Sequence, residues 1–409
     1  MWIRLLDRML GDLIRIGRLE VITADGTRLG HGGTEGPQVT VRLNDPDLPR
    51  RLVTAPELAL GEGYMDGRLT VDGDDLHGLM ELLLRNRSAG ASALPLRLNL
   101  FLRRALRGLR QSNPLQRARQ NVAHHYDLSG QLYDLFLDTD KQYSCGYFRH
   151  PDDTLDQAQA NKKHHIAGKL LLEPGMRVLD IGCGWGGMAL TLARDYGARV
   201  VGVTLSKEQH AVATARAEAE GLDRLVEFRL QDYRTVEETF ERIVSVGMFE
   251  HVGVPHYREY FSNVRDRLAP DGVALVHTIG RTMPPGSTSG WIDKYIFPGG
   301  YCPAMSETMQ AVEKEQLYPQ DVEVWRMHYA YTLRHWFDRF TANEERARAL
   351  YDDRFCRMWR YYLVACEQTF RYFAQCVFQF QLGHHPQAAP ITRDYLYPAT
   401  EARAQHAAE

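Results

Sequence analysis

The sequence predicts an α/β protein: a doubly wound, mostly parallel sheet with a small α+β domain in front of it. Two observations carry this. From residue 178 onward, strand-like apolar runs alternate with helical patterns, and the first run enters a glycine-rich turn, VLDIGCGWGG at residues 178–187. Residues 1–88 instead show short alternating runs broken by Asp-Gly and Gly-Gly pairs.

Composition sets the class. The 409 residues are 44% hydrophobic and 25% charged with net charge −3, which suits two or three domains with a sizeable core. No window approaches the roughly 18 apolar residues of a membrane span, and MWIRLLDRML lacks a secretory cleavage pattern, so a cytoplasmic location is expected. The cysteines Cys145, Cys183, Cys302, Cys356, Cys366 and Cys376 form no C-x-x-C pair and have no histidine at zinc spacing; neither disulfides nor a metal site is expected.

In chain order, Trp2, Ile3, Leu6, Met9, Leu10, Leu13 and Ile14 recur at helical spacing with arginines between them, an amphipathic first helix. Residues 19–23 and 38–42 read as strands around the turns Asp25-Gly26 and Gly32-Gly33. A turn at Asp66-Gly67, a strand at 69–71 and a helix at 75–84 complete an α+β domain over residues 1–88, where Tyr64, Met65 and Asp66 read as turn and core. Residues 89–120 form a basic amphipathic linker: from Arg85 to Arg119 arginines alternate with leucines and no acid intervenes. Such a segment either folds against its neighbours or meets anionic phospholipid headgroups. Nucleic acid is disfavoured, because the chain is slightly acidic and carries no recognition motif.

The catalytic domain is placed at residues 121–398, opening on a helical approach at 124–136 and the string YSCGYF at 143–148. Helix 154–172 leads through Pro174-Gly175 to the first central strand. Helix 188–196, strand 199–204, helix 207–220, strand 226–230, a helix near 236–240, strand 242–246, helix 254–268, the Asp271-Gly272 turn and strand 273–277 follow. Residues 281–309 are too long and too rich in Gly, Pro and aromatics for a plain connection and read as a lid, with Trp291, Tyr295, Ile296, Phe297 and Tyr301 lining an apolar pocket. A strand at 322–331, aromatic-rich helices over 344–373, a last strand at 376–382 and a disordered tail at 399–409 close the chain.

The glycine turn indicates the ligand. Glycines let the backbone turn and approach a ligand closely, and the helix N-terminus offers unpaired N–H groups. The spacing G-x-G-x-G-G departs from the dinucleotide pattern, and the second strand ends in Thr204-Leu205-Ser206 without the ribose-binding acid, which disfavours NAD. Asp180 at the end of the first strand and Asp232 after the third suit S-adenosylmethionine, with an amine, ribose hydroxyls and adenine to bind.

At this point a resemblance becomes specific. VLDIGCGWGG, GVTLSKEQ (202–209), YSCGYF, GMFEHVG (247–253), LVHTIG (275–280), KYIFPGG (294–300) and HYAYTL (328–333) together resemble the cyclopropane-fatty-acyl-phospholipid synthase family over residues 121–382. The leading domain resembles the N-terminal extension of its phospholipid-acting members. The resemblance implies a class I S-adenosylmethionine methyltransferase fold, Rossmann-like with a seven-stranded sheet. It also implies methyl transfer to a cis double bond of an acyl chain, followed by loss of a proton from that methyl and ring closure. In the family the base is bound bicarbonate, and the matching positions are Cys145, Glu250, His277, Ile279 through its backbone, and Tyr329. A small anion needs donors from thiol, imidazole, phenol and N–H, while a carboxylate orients it or takes its proton. Cys145 as a covalent nucleophile is an open alternative. For the cofactor the resemblance adds Tyr143, Ser144, Cys183, Thr204, Leu205, Ser206, Gln209, Asp232 and Tyr233 to Asp180, Gly182, Gly184 and Gly186, with Gln209 toward the ribose and Asp232 toward adenine. Tyr147, Phe148 and Phe249 are either walls around a carbocation or core packing.

The expectation is an enzyme cyclopropanating unsaturated phospholipid acyl chains at the inner face of the membrane, peripherally associated, with S-adenosylmethionine and bicarbonate and, by analogy, as a homodimer. The alternatives are a fatty acyl methyltransferase giving methyl-branched or methylene chains, a small-molecule methyltransferase, and a non-catalytic lipid-binding protein.

Overall fold

A computed structural model describes residues 1–90 and 130–397. The linker from residue 91 onward, the approach at 124–127 and the tail at 399–409 lie outside the described residues.

The leading domain is a four-stranded sheet with helices on it. Helix α1 (Trp2–Leu13) buries Leu6, Met9 and Leu10, whose i, i+3, i+4 spacing puts them on one face. Strand β1 (Ile16–Ile22) pairs antiparallel with β2 (Arg28–Gly32) and parallel with β3 (Thr34–Leu43). Helices α2 (Leu48–Thr54) and α3 (Pro56–Met65) follow, then β4 (Leu69–Val71) antiparallel to β3, and α4 (Leu76–Ser88), capped by Asp75. Strand β2 escaped the sequence reading because RLGHG offers one apolar side chain between glycines; pairing with β1 makes it a strand.

The main sheet has the order β10-β11-β9-β8-β5-β6-β7. After α5 (Gly130–Tyr133) and α6 (Leu155–Lys169) come β5 (Arg177–Ile181), α7 (Gly187–Tyr196), β6 (Arg199–Thr204), α8 (Lys207–Ala219), β7 (Val226–Leu230) and β8 (Phe240–Val246). Helix α9 (Tyr257–Arg267), β9 (Leu268–Arg281), α10 (Gly290–Tyr295), α11 (Met305–Lys314) and β10 (Tyr318–Trp325) follow. Helices α12 (His328–Ala342), α13 (Glu344–Leu350) and α14 (Asp353–Tyr372) and strand β11 (Gln375–Gly383) complete it. Strands β5 to β9 run parallel and β11 lies antiparallel between β9 and β10, the seven-stranded, mostly parallel sheet expected.

Three expectations change. No helix forms at 236–240: Val236 and Phe240 are both fully buried, and Phe240 already pairs with Leu268 as β8 begins. Asp271-Gly272 is a register irregularity inside β9 rather than a turn before it. The strand expected at 322–331 ends at Trp325, and Tyr329 stands on the first turn of α12, where Tyr329, Leu333, Trp336 and Phe340 share a buried helical face.

Helix α14 joins the two parts. Met65 O accepts from Arg357 Nε at 2.7 Å, His77 Nε2 meets Glu367 at 3.1 Å, and Tyr64 packs on Tyr361. One apolar cluster therefore runs unbroken from Leu6, Leu19 and Val41 to Tyr329, Trp336 and Tyr362.

Candidate active site

Asp180 is the penultimate residue of β5, and beyond Ile181 the chain turns through Gly182 and Gly186 with φ of +81° and +86°. Both lie in the left-handed region that favours glycine, and a Cβ at Gly186 would come 2.7 Å from the Phe228 ring. Asp180 Oδ2 is buried with no partner among the described residues. Burial pushes this carboxyl up to about 7, opposed by the charge of Lys162. An unanswered acceptor beside a glycine cradle fits a ligand bearing an amine or hydroxyls.

At the end of β6, Thr204 Oγ1 donates to Gln209 Oε1 at 3.0 Å and Ser206 caps α8 by accepting from Gln209 N at 3.3 Å. Gln209 thus uses its amide oxygen inside the protein, and its amide N–H groups could serve an acceptor such as a ribose oxygen. Leu205 between them is half-buried, and Cys183 and Gly184 lie in the glycine turn. Asp232 is paired at both oxygens with Arg234, each contact 2.8 Å, so an adenine amine there would share an engaged carboxylate. Tyr233 packs against Tyr260.

The segment Asp138 to Phe148 crosses this turn. A Cβ at Gly187 would lie 2.2 Å from Asp140 Oδ2 and 2.4 Å from Gln142 Nε2, so a larger residue would have to displace these side chains of the crossing segment. Tyr143 stacks on Trp336 with centroids 5.1 Å apart and shares a 2.9 Å hydrogen bond with Tyr362 Oη; Ser144 Oγ accepts from Lys162 Nζ at 2.8 Å. Burial raises the Cys145 thiol well above its ordinary value, which keeps it protonated as a donor and argues against a nucleophilic thiolate.

Cys145, Glu250, His277, Ile279 and Tyr329 all face one cavity of about 830 Å³, together with Tyr143 and Ser144. Glu250 Oε1 accepts the Ile279 N–H at 2.7 Å, so that N–H, expected to meet an anion, acts through Glu250. Burial lifts Glu250 to about 7, and its Oε2 is buried without a partner among the described residues. Burial holds His277 well below its ordinary value, hence neutral, and Gln379 Nε2 donates to its Nδ1 at 3.1 Å, which assigns the ring proton to Nε2. Tyr329 is likewise held protonated by burial. A neutral imidazole and phenol lining the same cavity as an orphaned carboxylate oxygen suit a small anion able to carry a proton, while the Cys145 S–H donates to Gly146 O at 3.3 Å.

Other expected wall residues are elsewhere. Tyr147 stacks on His165 and His328, Phe148 on His335, and Phe249 packs among Tyr257, Tyr260 and Phe261; none lines the cavity. Trp291, Phe297 and Tyr301 of the lid do line it, whereas Tyr295 turns away and donates to Glu62 at 2.8 Å and Ile296 is buried outside it. Tyr361, Tyr362 and Phe370 of α14 line it instead. Sequence reasoning passed over them because aromatic spacing on a helix reads as core, and over Gln379 because a single amide inside the apolar run of β11 carries no local signal. The cavity continues between α1 and the leading sheet, past Leu10, Val21, Val41 and Leu43.

Residues 113–380 match the family profile of mycolic acid cyclopropane synthetase, and residues 6–92 match a domain of unknown function. The chain is 42% identical over 333 residues to the cyclopropane-fatty-acyl-phospholipid synthase of Escherichia coli K12, covering 81% of this chain and 84% of that protein. It is 36% identical over 393 residues to a probable fatty acid methyltransferase of Pseudomonas putida, covering 91% and 94%. The solved mycolic acid cyclopropane synthase CmaA1, complexed with SAH and CTAB, superposes with a TM-score of 0.62 at 35% identity, over 64% of this chain and 97% of that one.

Proposed function

Because the chain belongs to the mycolic acid cyclopropane synthetase family, we propose that it methylates a cis double bond in a phospholipid acyl chain and closes a cyclopropane ring there. The observation that carries this reading is the cavity: an apolar passage from Glu250 and His277 into the leading domain, shaped for a long hydrocarbon.

The orphaned Asp180 oxygen and the Gly182–Gly186 cradle fit S-adenosylmethionine, which supplies an electrophilic methyl on a sulfonium. As the alkene takes that methyl, the C–S bond breaks and a C–C bond forms, leaving S-adenosylhomocysteine and a carbocation on the chain. A proton then leaves the new methyl as the second C–C bond closes the ring. The rings of Tyr329, Tyr361, Tyr362 and Phe370 line this space and exclude water; each ring facing a cation contributes about 0.5–2 kcal/mol. Cys145, His277 and Tyr329 would hold bicarbonate, which supplies the base, and Glu250 Oε2 is the acceptor on which a proton can rest.

Such a substrate places the protein peripherally at the inner face of the membrane. Helix α1 supports this, exposing Met1 and Leu5 beside Arg4 and Arg8. Among the described residues no helix is long and apolar enough to cross a membrane.

The test is incubation of the protein with methyl-labelled S-adenosylmethionine and vesicles of cis-monounsaturated phospholipid, followed by mass spectrometry and NMR of the acyl chains. Cyclopropane ring protons are the expected result. A methylene or methyl-branched chain would make it a fatty acyl methyltransferase instead, and vesicle binding without S-adenosylhomocysteine release would leave a lipid-binding protein.

A further inference from the structure

Helix α6 carries polar residues all round and no apolar stripe, yet it is packed inside the protein, and Gln159 and Lys162 are both wholly buried. Three residues apart, they share a face that meets the segment bearing Tyr143, Ser144 and Cys145. Gln159 Nε2 donates to Ser144 O at 2.8 Å. Lys162 Nζ donates to Gln142 Oε1 at 2.6 Å and to Ser144 Oγ at 2.8 Å. A lysine taken wholly out of water is costly unless its charge is answered.

The answering charges come from several elements. Asp138 and Asp140 on the crossing segment act on Lys162, as does Cys145; Lys163 on its own helix repels it but is itself paired with Asp140, which also meets Arg216. Lys162 in turn acts on Asp180 at the end of β5 and on His277 in β9. One ammonium thus bonds the strap and acts electrostatically on the buried acid beside the glycine turn.

We propose that Lys162 is a positioning residue for the cofactor, its buried ammonium fixing the Gln142–Cys145 strap through Gln142 and Ser144 and favouring the ionised form of Asp180. This rests on the S-adenosylmethionine reading of the site and is independent of which lipid is methylated. Burial draws Lys162 down to about 8, against the pull of Asp138, so at neutral pH it is mostly charged.

The test is calorimetric titration of the full-length protein with S-adenosylhomocysteine between pH 5.5 and 8.5, comparing wild type with Lys162→Met, of similar length and no charge, and with Asp180→Asn. In the wild type, affinity falls below about pH 7 as Asp180 takes a proton. Lys162→Met is expected to bind at least tenfold more weakly at pH 7, to move that limb to higher pH, and to melt within a few degrees of wild type. Lys162→Met in the Asp180→Asn background should cost less than in the wild type. Wild-type affinity in Lys162→Met, or a loss equal at every pH, would overturn the proposal. If Lys162→Met does not fold, Ser144→Ala removes one acceptor of the ammonium and is read by the same titration, an upward-shifted limb supporting the assignment and an unmoved one ending it. Failure of the wild type itself to bind S-adenosylhomocysteine would strike at the cofactor reading instead.

Discussion

Ile279 N–H donates to Glu250 Oε1 at 2.7 Å, while Oε2 is buried with no hydrogen-bond partner among the described residues. Glutamine at this position keeps the acceptor for Ile279 N–H but puts an NH₂ where a proton acceptor is wanted. Glu250→Gln is expected to lower kcat by about 10²–10⁴-fold without lowering the melting temperature. Label transfer from S-adenosylmethionine to vesicle lipid measures it.

The same burial gives stability a pH dependence. Glu250 and Asp180 rise to about 7 in the folded chain from ordinary values of 4.5 and 3.8. Their contribution is fully present below the ordinary values and is lost as pH rises through the folded ones, because the unfolded chain ionises first. Asp140 and Glu62 tilt the other way: burial pushes them up, but Lys163 and Arg216, and Lys294 and Tyr295, outweigh it. The readout is therefore a difference. Melting temperatures from pH 4.5 to 7.5 should show Glu250→Gln gaining on wild type as pH rises.

Gly61 of α3 lies against the lid. A Cβ there would sit 2.3 Å from Trp291 Cδ1, and Trp291, buried and donating to Met65 Sδ at 3.0 Å, is a cavity wall. Gly61→Ala is expected to destabilise by about 1–3 kcal/mol. It should raise KM for vesicle lipid and leave S-adenosylhomocysteine affinity unchanged, which melts and calorimetry would check.

Val41 lines the cavity inside the leading domain. Val41→Phe narrows the far end while leaving every group near Glu250 in place. With vesicles of mixed acyl length, chromatography of the modified chains should show a shift toward shorter chains. An unchanged profile would mean that the hydrocarbon does not reach this far.

Much of the main sheet was legible because its signals are local. Strands 199–204 and 226–230 fall where apolar runs end at turn residues, and Asp180 near the end of β5 and Glu250 in the turn after β8 stand where open α/β sheets bind ligands, with His277 inside the longer β9. Residues 236–240 misled, since five residues with two apolar side chains carry no period that separates helix from strand. Lys162 gave a weaker signal, a polar helix with no face to bury, which pointed inward only once its neighbours were known.

The sequence alone determined the alternating α/β order, the glycine turn and the residue types of the site, since periodicity, φ > 0 and side-chain chemistry belong to each short stretch by itself. Tertiary structure decided which aromatics face the cavity, that Ile279 N–H is taken by Glu250, and that the apolar space runs on into the leading domain. Those outcomes depend on contacts between residues far apart in the chain, such as Met65 with Trp291 and His77 with Glu367, and a local pattern holds no record of which distant partner will close over it.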